Sequence, residues 1–441
     1  MNLALIPNWV KEPVSRFDCP LNHPGQLVIS ITLRRRIKHQ NNEDPILFVD
    51  DDPMALKGLD RYLRSLSSEW DMEFVDSGAK ALARMAQSPF DVIVSDMRMP
   101  VMNGAELLNE VMKRYPRTVR LILSGYSDRN MILKCVGSTH QYLAKPCDGQ
   151  ELKMALQRAQ QLDQSLASEI IRKIITRCDT LPSVPAIYSK IIEVLQDPEC
   201  DTETIGSVIV QDTAMTAKIL KVVNSSFFGH GREIVTPSEA VAYLGTDTIK
   251  SLLLFENTFS QWPNLNLKGF TVEGLWSHSL HAANAARAVA TSEGADRKLI
   301  DEAYVAGLLH DVGKLVLAVN LTKQYEEVLQ LARTDKITMS AAERTVLGSD
   351  HADIGGYLLG LWGLPVPVIE AIMFHHNPKG ALQKTFGPLT AVHAGNALIS
   401  TAWPAINGLP PSNADMSYLH ALGLDNRIGA WRGALSKAPA Q

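Results

Sequence analysis

Between Pro45 and Arg158 the chain alternates short apolar runs with windows of helical spacing, and this alternation restricts the fold more than any other feature. The runs are Ile46–Val49, Met72–Val75, Val92–Ser95, Val119–Leu123 and Gln141–Ala144. They are short and rich in β-branched, aromatic and aliphatic side chains, as buried strands are. The windows between them are Pro53–Leu66, Gly78–Ala86, Ala105–Arg114 and Asn130–Val136, and a fifth helix begins after Cys147. Apolar strands separated by helices predict a five-stranded parallel sheet covered on both faces, a doubly wound α/β fold.

Polar groups fall at the C-terminal ends of four of these strands. The first runs into Asp50-Asp51-Asp52, the third into Asp96, the fourth into Ser124-Gly125 and the fifth into Lys145-Pro146. In a parallel sheet those ends lie side by side, where open α/β sheets bind ligands. Carboxylates brought that close repel one another unless a hard cation sits among them, and an all-oxygen set suits Mg²⁺. Lys145 and such an ion together neutralise a phosphoryl group, Ser124 is placed to hydrogen-bond it, and Asp96 is the candidate nucleophile.

The fifth helix has no clear stop. Leu152, Leu156, Ala159, Leu162, Leu166, Ile170 and Ile174 keep one apolar face, which predicts a continuous helical linker. That face is either a homodimer seam or a surface packed on a flanking domain. Leu181-Pro182-Ser183-Val184-Pro185 ends the pattern, and beyond it helical windows dominate, an all-α region. The expected boundaries are an irregular tail at 1–44, an α/β domain at 45–158, a linker at 159–177, a helical domain at 178–402 and a loose C-terminal extension at 403–441.

Histidines concentrate in the helical region: His278, His281, His310, His351, His375, His376 and His393. His310 and Asp311 are adjacent in Leu308-Leu309-His310-Asp311-Val312-Gly313-Lys314, where Gly313 permits close backbone approach. A lone buried histidine is usually a satisfied core residue, but several together suggest a metal site.

Residues 45–158 resemble the receiver domain of two-component response regulators, a flavodoxin-like fold. The resemblance implies that Asp96 is the phosphoacceptor, Ser124 the hydroxyl, Lys145 the lysine and Tyr142 the aromatic switch. It implies Mg²⁺ on Asp50, Asp51, Asp96 and the backbone carbonyl of Arg98, and a sensor histidine kinase as partner.

The histidine pattern resembles the HD superfamily of metal phosphohydrolases, in which His278, His310 and Asp311 are ligands, with His351, His375 and His376 as further members. Asn396 stands where that family has an acidic ligand. His375-His376-Asn377-Pro378 lacks the acid and the Gly-Tyr-Pro motif of the cyclic-dinucleotide-hydrolysing branch. Leu181–Pro185, Gln211–Leu220, Val223-Asn224-Ser225, Ala240–Gly245 and Gly307–His310 are similar, in order, to the HDOD domain. That resemblance implies a non-enzymatic output acting through an unknown downstream protein, with a vestigial HD site and no transition metal. A receiver-regulated phosphohydrolase is the alternative.

Composition adds exclusions. The 441 residues are 46% hydrophobic and 20% charged, with a formal net charge of −4, so no global positive field attracts nucleic acid. The Arg34-Arg35-Arg36-Ile37-Lys38 cluster reads as a solvated tail. Cys19, Cys135, Cys147, Cys178 and Cys200 form no Cys-x-x-Cys, as in a cytoplasmic protein with reduced thiols. No apolar run is long enough to span a bilayer, so no membrane is expected.

Overall fold

The computed structural model describes the chain from residue 44, except for 65–69, 126–137, 146, 148, 166–170, 172–173, 177, 179–184, 196–199, 225–232, 247, 250–251, 253–266, 382–384, 403–412 and 437–441. The tail at 1–43, with its basic cluster, and the helix expected at Asn130–Val136 lie outside the described residues.

The five expected strands form: β1 (Asp44–Val49), β2 (Trp70–Val75), β3 (Val92–Asp96), β4 (Val119–Ser124) and β5 (Gln141–Ala144). Their order is β2-β1-β3-β4-β5, and every pairing is parallel. The chain leaves β1 toward one side for β2 and returns to its other side for β3, so β1 and β3 flank the topological switch point. Ile46, Leu47, Phe48, Ile93, Val94 and Ile122 are fully buried. Apolar content on both faces of these strands requires cover on both sides. Described helices α1 (Pro53–Leu63), α2 (Gly78–Met85), α3 (Gly104–Arg114) and α4 (Gly149–Ser165) belong to this unit.

The helical region follows as α5 (Pro185–Val194), α6 (Thr202–Ile209), α7 (Thr213–Val223), α8 (Pro237–Leu244) and the long α9 (Val272–Ser292). Then come α10 (Arg297–Leu309), α11 (Val312–Asn320), α12 (Thr322–Thr334), α13 (Met339–Leu347), α14 (His351–Leu361), α15 (Val366–Phe374) and α16 (Pro388–Ala402). α9 packs on α10 and α16. Glycines permit the close approach: a Cβ on Gly307 would lie 2.8 Å from the Ala283 Cα, and one on Gly395 would lie 2.8 Å from the Ala286 nitrogen.

The packing alternative left open for the apolar face of α4 is met along its described residues, and one expectation changes. The apolar face of α4 is occupied within the chain: Leu152, Leu156 and Ala159 are buried, and α4 packs on α14. Along these residues the face is a packing surface, and 166–170 lie outside the described residues. The C-terminal extension is folded from 413 to 436, with helices α17 (Met416–Ala421) and α18 (Ile428–Leu435). Trp431 of α18 is fully buried, and its indole N–H donates to Glu293 Oε1 at 2.7 Å. Among the described residues, no helix is long and apolar enough to cross a membrane.

Candidate functional site

The register of the sheet sets the first site. Val49 pairs with Ser95, Asp96 with Leu123, and Ser124 with Ala144, so Asp50, Asp96, Ser124 and Lys145 come to one edge. Asp50 and Asp96 are buried, and Asp51 is exposed beside them. One ligand oxygen from each of the three lies within 4.8 Å of the others, which suits a hard cation.

Lys145 reaches both buried acids. Its Nζ lies 2.6 Å from Asp50 Oδ2 and also contacts Asp96 Oδ1. The other oxygen of Asp96 accepts the Arg98 N–H at 2.7 Å. Burial pushes the Asp96 carboxyl above its ordinary value, with Asp50 adding to the shift and Lys145 opposing it. Burial opposes the charge on Lys145, but the two carboxylates outweigh it and raise its pKa. Asp52 is not part of the cluster: its side chain caps α1 by accepting the Met54 N–H at 2.8 Å. Tyr142 is fully buried on β5.

Two features of the loop after β3 escape the sequence argument. A Cβ on Gly104 would stand 2.2 Å from the Asp96 carbonyl oxygen, so α3 starts hard against the end of the strand. Asn103 and Glu106 close a capping box there. Val101, fully exposed, has a φ of 69°, a left-handed conformation rare for a β-branched residue. Asn103-Gly104 signals a turn, but no sequence signal assigns left-handed backbone to a valine.

A second cluster forms in the helical domain. His278 comes from α9, His310 and Asp311 from the α10–α11 junction, His351 from the start of α14, and His375 and His376 from the end of α15. Gly313 makes the junction possible: a Cβ there would lie 2.0 Å from the His351 carbonyl oxygen. Asp311 Oδ2 lies 3.4 Å from His310 Nε2 and 3.5 Å from His278 Nε2. Its Oδ1 lies 3.2 Å from His351 Nε2 and 3.9 Å from His375 Nε2. Lys314 Nζ lies 2.6 Å from Oδ2.

Burial opposes charge on Asp311, but the surrounding histidines and Lys314 hold its carboxyl well below the usual range. Burial lowers His310, His375 and His376, and brings His278 down to about 3. Burial works the same way on His351, but the Glu343 carboxylate overrides it and raises the group to about 9. Glu343, fully buried on α13, is the member the sequence does not reveal. It lies eight positions before His351 and reaches it across the turn between two helices.

His281 and His393 stand apart from these groups. The His281 ring bonds to the Ser277 carbonyl at 2.7 Å. His393 donates from Nδ1 to the His375 carbonyl and accepts the Asp415 N–H at Nε2. Asn396 is buried on α16, and its Oδ1 has no hydrogen-bond partner among the described residues.

The response regulator receiver domain family matches residues 46–157, and the HDOD domain family matches residues 181–378. The chain is a receiver domain followed by an HDOD domain. An uncharacterized protein of Treponema pallidum is 32% identical over 225 residues, 48% of this chain and 41% of that protein. The hydrogenase transcriptional regulatory protein HoxA of Cupriavidus necator is 37% identical over 103 residues, 23% of this chain and 21% of its own length. The solved MmoQ response regulator of Methylococcus capsulatus is 24% identical, with a TM-score of 0.43, over 58% of this chain and 98% of that one. The chain thus spans less than half the length of these two curated relatives.

The HDOD matching region contains structural polar residues as well as the cluster. Asp212 caps α7 by accepting the Met215 N–H at 2.9 Å. Asn224 clamps the backbone of Ile234, accepting its N–H at 2.8 Å and donating to its carbonyl at 2.6 Å.

Proposed function

We propose that the chain is a phosphorelay response regulator. A sensor histidine kinase in the cytoplasm supplies a phosphoryl group to Asp96, and the HDOD domain passes the change of state to a downstream protein by binding. The observation that supports this reading best is the single Lys145 ammonium held by both Asp50 and Asp96.

Asp50, Asp51, Asp96 and the Arg98 carbonyl would hold Mg²⁺, which supplies the positive charge that draws the phosphoryl group in. A carboxylate oxygen of Asp96 attacks phosphorus and forms the new O–P bond. The donor's bond to phosphorus breaks, and its electron pair leaves on the donor. Lys145 then follows the negative charge from Asp96 to a phosphoryl oxygen, and the Ser124 hydroxyl turns toward another. Ser124 neighbours Ala144 in the ladder, so this shift bears on β5 and on Tyr142.

Incubation of the full chain with Mg²⁺ and acetyl phosphate tests the acceptor. Wild type is expected to take up one phosphoryl group and Asp96→Asn none. Equal incorporation by the two proteins would sink the assignment. A pull-down comparing phosphorylated and unphosphorylated chain then looks for the downstream protein.

A second reading, a receiver-regulated metal-dependent phosphohydrolase, draws support from the six converging side chains of the histidine cluster. Asn396 and the missing Gly-Tyr-Pro motif count against it. Metal-dependent hydrolysis of a cyclic dinucleotide by wild type, lost in His310→Ala, would establish it.

A further inference from the structure

β5 spans the receiver from its base to its acid site. The ladder pins it to β4 at both ends: the His140 N–H donates to the Arg120 carbonyl and the Lys145 N–H to the Ser124 carbonyl, each at 2.8 Å. At about 3.3 Å per residue, His140 and Lys145 stand roughly 16 Å apart. Gln141, the first residue of β5, lies against the other domain. A Cβ on Gly363 would stand 3.5 Å from the Gln141 Nε2. Gly363, at a φ of 75°, closes α14, with the Leu364 N–H donating back to the Leu359 carbonyl at 3.1 Å. The start of β5 therefore meets the end of α14.

α14 is packed tightly along its length. Ile354, Tyr357, Leu358 and Leu359 are fully buried. A Cβ on Gly355 would lie 3.1 Å from Val312 Cγ1, and one on Gly356 would lie 3.0 Å from Met373 Cβ, so α11 and α15 close on it. α4, which follows Lys145 in the receiver, packs on it from the other domain. Its 11 residues extend about 16 Å. Packed elements of this kind move as units, so a shift at Gly363 is carried to His351.

His351 is the cluster member that such a shift disturbs. His310 and His375 are anchored within their own turns, each Nδ1 lying 2.7 Å from a carbonyl three residues earlier, those of Gly307 and Ile372. His351 is held from a different helix. Glu343 Oε2 on α13 accepts its backbone N–H at 2.8 Å and lies 2.5 Å from its Nδ1. Moving α14 against α13 changes that pair and leaves the other two anchors intact.

The joint between β5 and α14 is incompletely satisfied. Lys221 Nζ lies 4.8 Å from the Trp362 ring centroid, but the buried Trp362 indole N–H finds no acceptor among the described residues. Thr139 Oγ1, two positions before Gln141, is likewise buried without a hydrogen bond among them. Buried polar groups without partners raise the energy of the docked arrangement, which brings a second arrangement of the joint within reach.

We propose that β5 and α14 form a two-way mechanical link between the receiver's acid site and the histidine cluster. The Glu343–His351 pair holds α14, α14 holds the joint at Gln141, and the joint holds Lys145 in place. The link brakes phosphorylation at Asp96, because Lys145 must leave Asp96 for the phosphoryl group and a fixed β5 opposes that step. By reciprocity, phosphorylation displaces α14 and loosens His351. The brake rests on the phosphorelay reading; the link itself does not.

Hydrogen exchange of the full chain tests the link. Glu343→Gln removes the charge that holds His351 and keeps the shape. It is expected to quicken exchange at 141–145 by about fivefold or more, the low end of ordinary coupling between sites, with 70–75 in β2 unchanged. Unchanged exchange at 141–145, or an equal rise in β2, would overturn the link. Gln141→Trp wedges the joint from the receiver side. It is expected to quicken exchange at 351–361 and to speed labelling by acetyl phosphate and Mg²⁺ by about fivefold or more. Trp431→Phe, which perturbs α18 outside the path, is expected to do neither. Labelling of the wedged chain at the wild-type rate would overturn the brake. No labelling of wild type would instead count against the phosphorelay reading, and the exchange measurements would still decide the link.

Discussion

The Arg120 guanidinium on β4 donates to the main-chain carbonyl of Thr176 at 2.7 Å, joining positions 56 apart in the chain. Arg120 is 1% exposed, and its other donors reach the Ser138 carbonyl at 2.6 Å and the Thr118 carbonyl at 3.1 Å. A guanidinium in a sheet is tolerable when its N–H groups are engaged in this way. Thr176 lies in the segment that leads from the receiver into the HDOD domain, so one side chain ties the lower end of β4 to that segment. The contact lies near the start of the strand that ends at Ser124. β4 therefore connects the candidate phosphorylation site at one end to the domain junction at the other.

Arg120→Met keeps the length of the side chain but removes its donors, leaving three carbonyls without this partner. A loss of about 3 kcal/mol is expected, since an unsatisfied buried polar group costs about 1–3 kcal/mol. Urea unfolding of the full chain measures it. Hydrogen exchange should quicken around Thr176 more than in β1, and uniform exchange would contradict a localised tie.

Lys145→Met leaves Asp50 and Asp96 facing each other without their shared ammonium. Phosphorylation by acetyl phosphate is expected to fall by about 10²-fold, the usual effect of losing one preorganised charge-stabilising donor. Mobility-shift gels measure the rate. An unchanged rate would mean that Mg²⁺ alone neutralises the incoming charge.

His140 gives the domain junction a pH dependence. Its ring is buried, and burial, with Arg120 and Lys221 adding to it, holds its pKa well below the ordinary 6.5. The Arg120 backbone N–H donates to its Nδ1 at 2.9 Å. The folded chain therefore keeps His140 neutral while the unfolded chain protonates it near its ordinary value. Its contribution to stability is complete above 6.5 and is lost as pH falls below that value. Thermal midpoints measured from pH 7.5 to 5 are expected to fall more steeply for wild type than for His140→Asn. Parallel curves would refute the assignment, because the other buried histidines are common to both proteins.

The α/β half was legible because its signals are local. Strand runs, turn residues and the polar group at each strand end all sit within a few positions, and a parallel sheet aligns such ends without further information. The histidines of the second cluster were legible as residue types. Their carbonyl and carboxylate anchors were not, because Gly307 and Ile372 contribute only backbone, and Glu343 resembles any helical glutamate until α13 and α14 fold together. Arg120 was equally hidden, a charged residue in an apolar strand whose partners come from three separate segments. The expectation of a loose C-terminus failed for the same reason: the proline- and glycine-rich composition around 404–411 says nothing of the helices that follow.

Trp431 shows what holds that C-terminal segment in place. It is fully buried, its indole N–H donates to Glu293 Oε1 at 2.7 Å, and Arg427 Nε donates to the same oxygen at 2.8 Å. Glu293 caps the end of α9, the helix that carries His278. Trp431→Ala removes a large buried ring and one partner of that carboxylate, so a loss of about 3–5 kcal/mol is expected. Trp431→Phe restores most of the volume but not the N–H, and should recover part of the loss. Unfolding of the full chain followed by circular dichroism measures both. If the two variants match wild type, α18 is not part of the folded unit, and α9 ends independently of it.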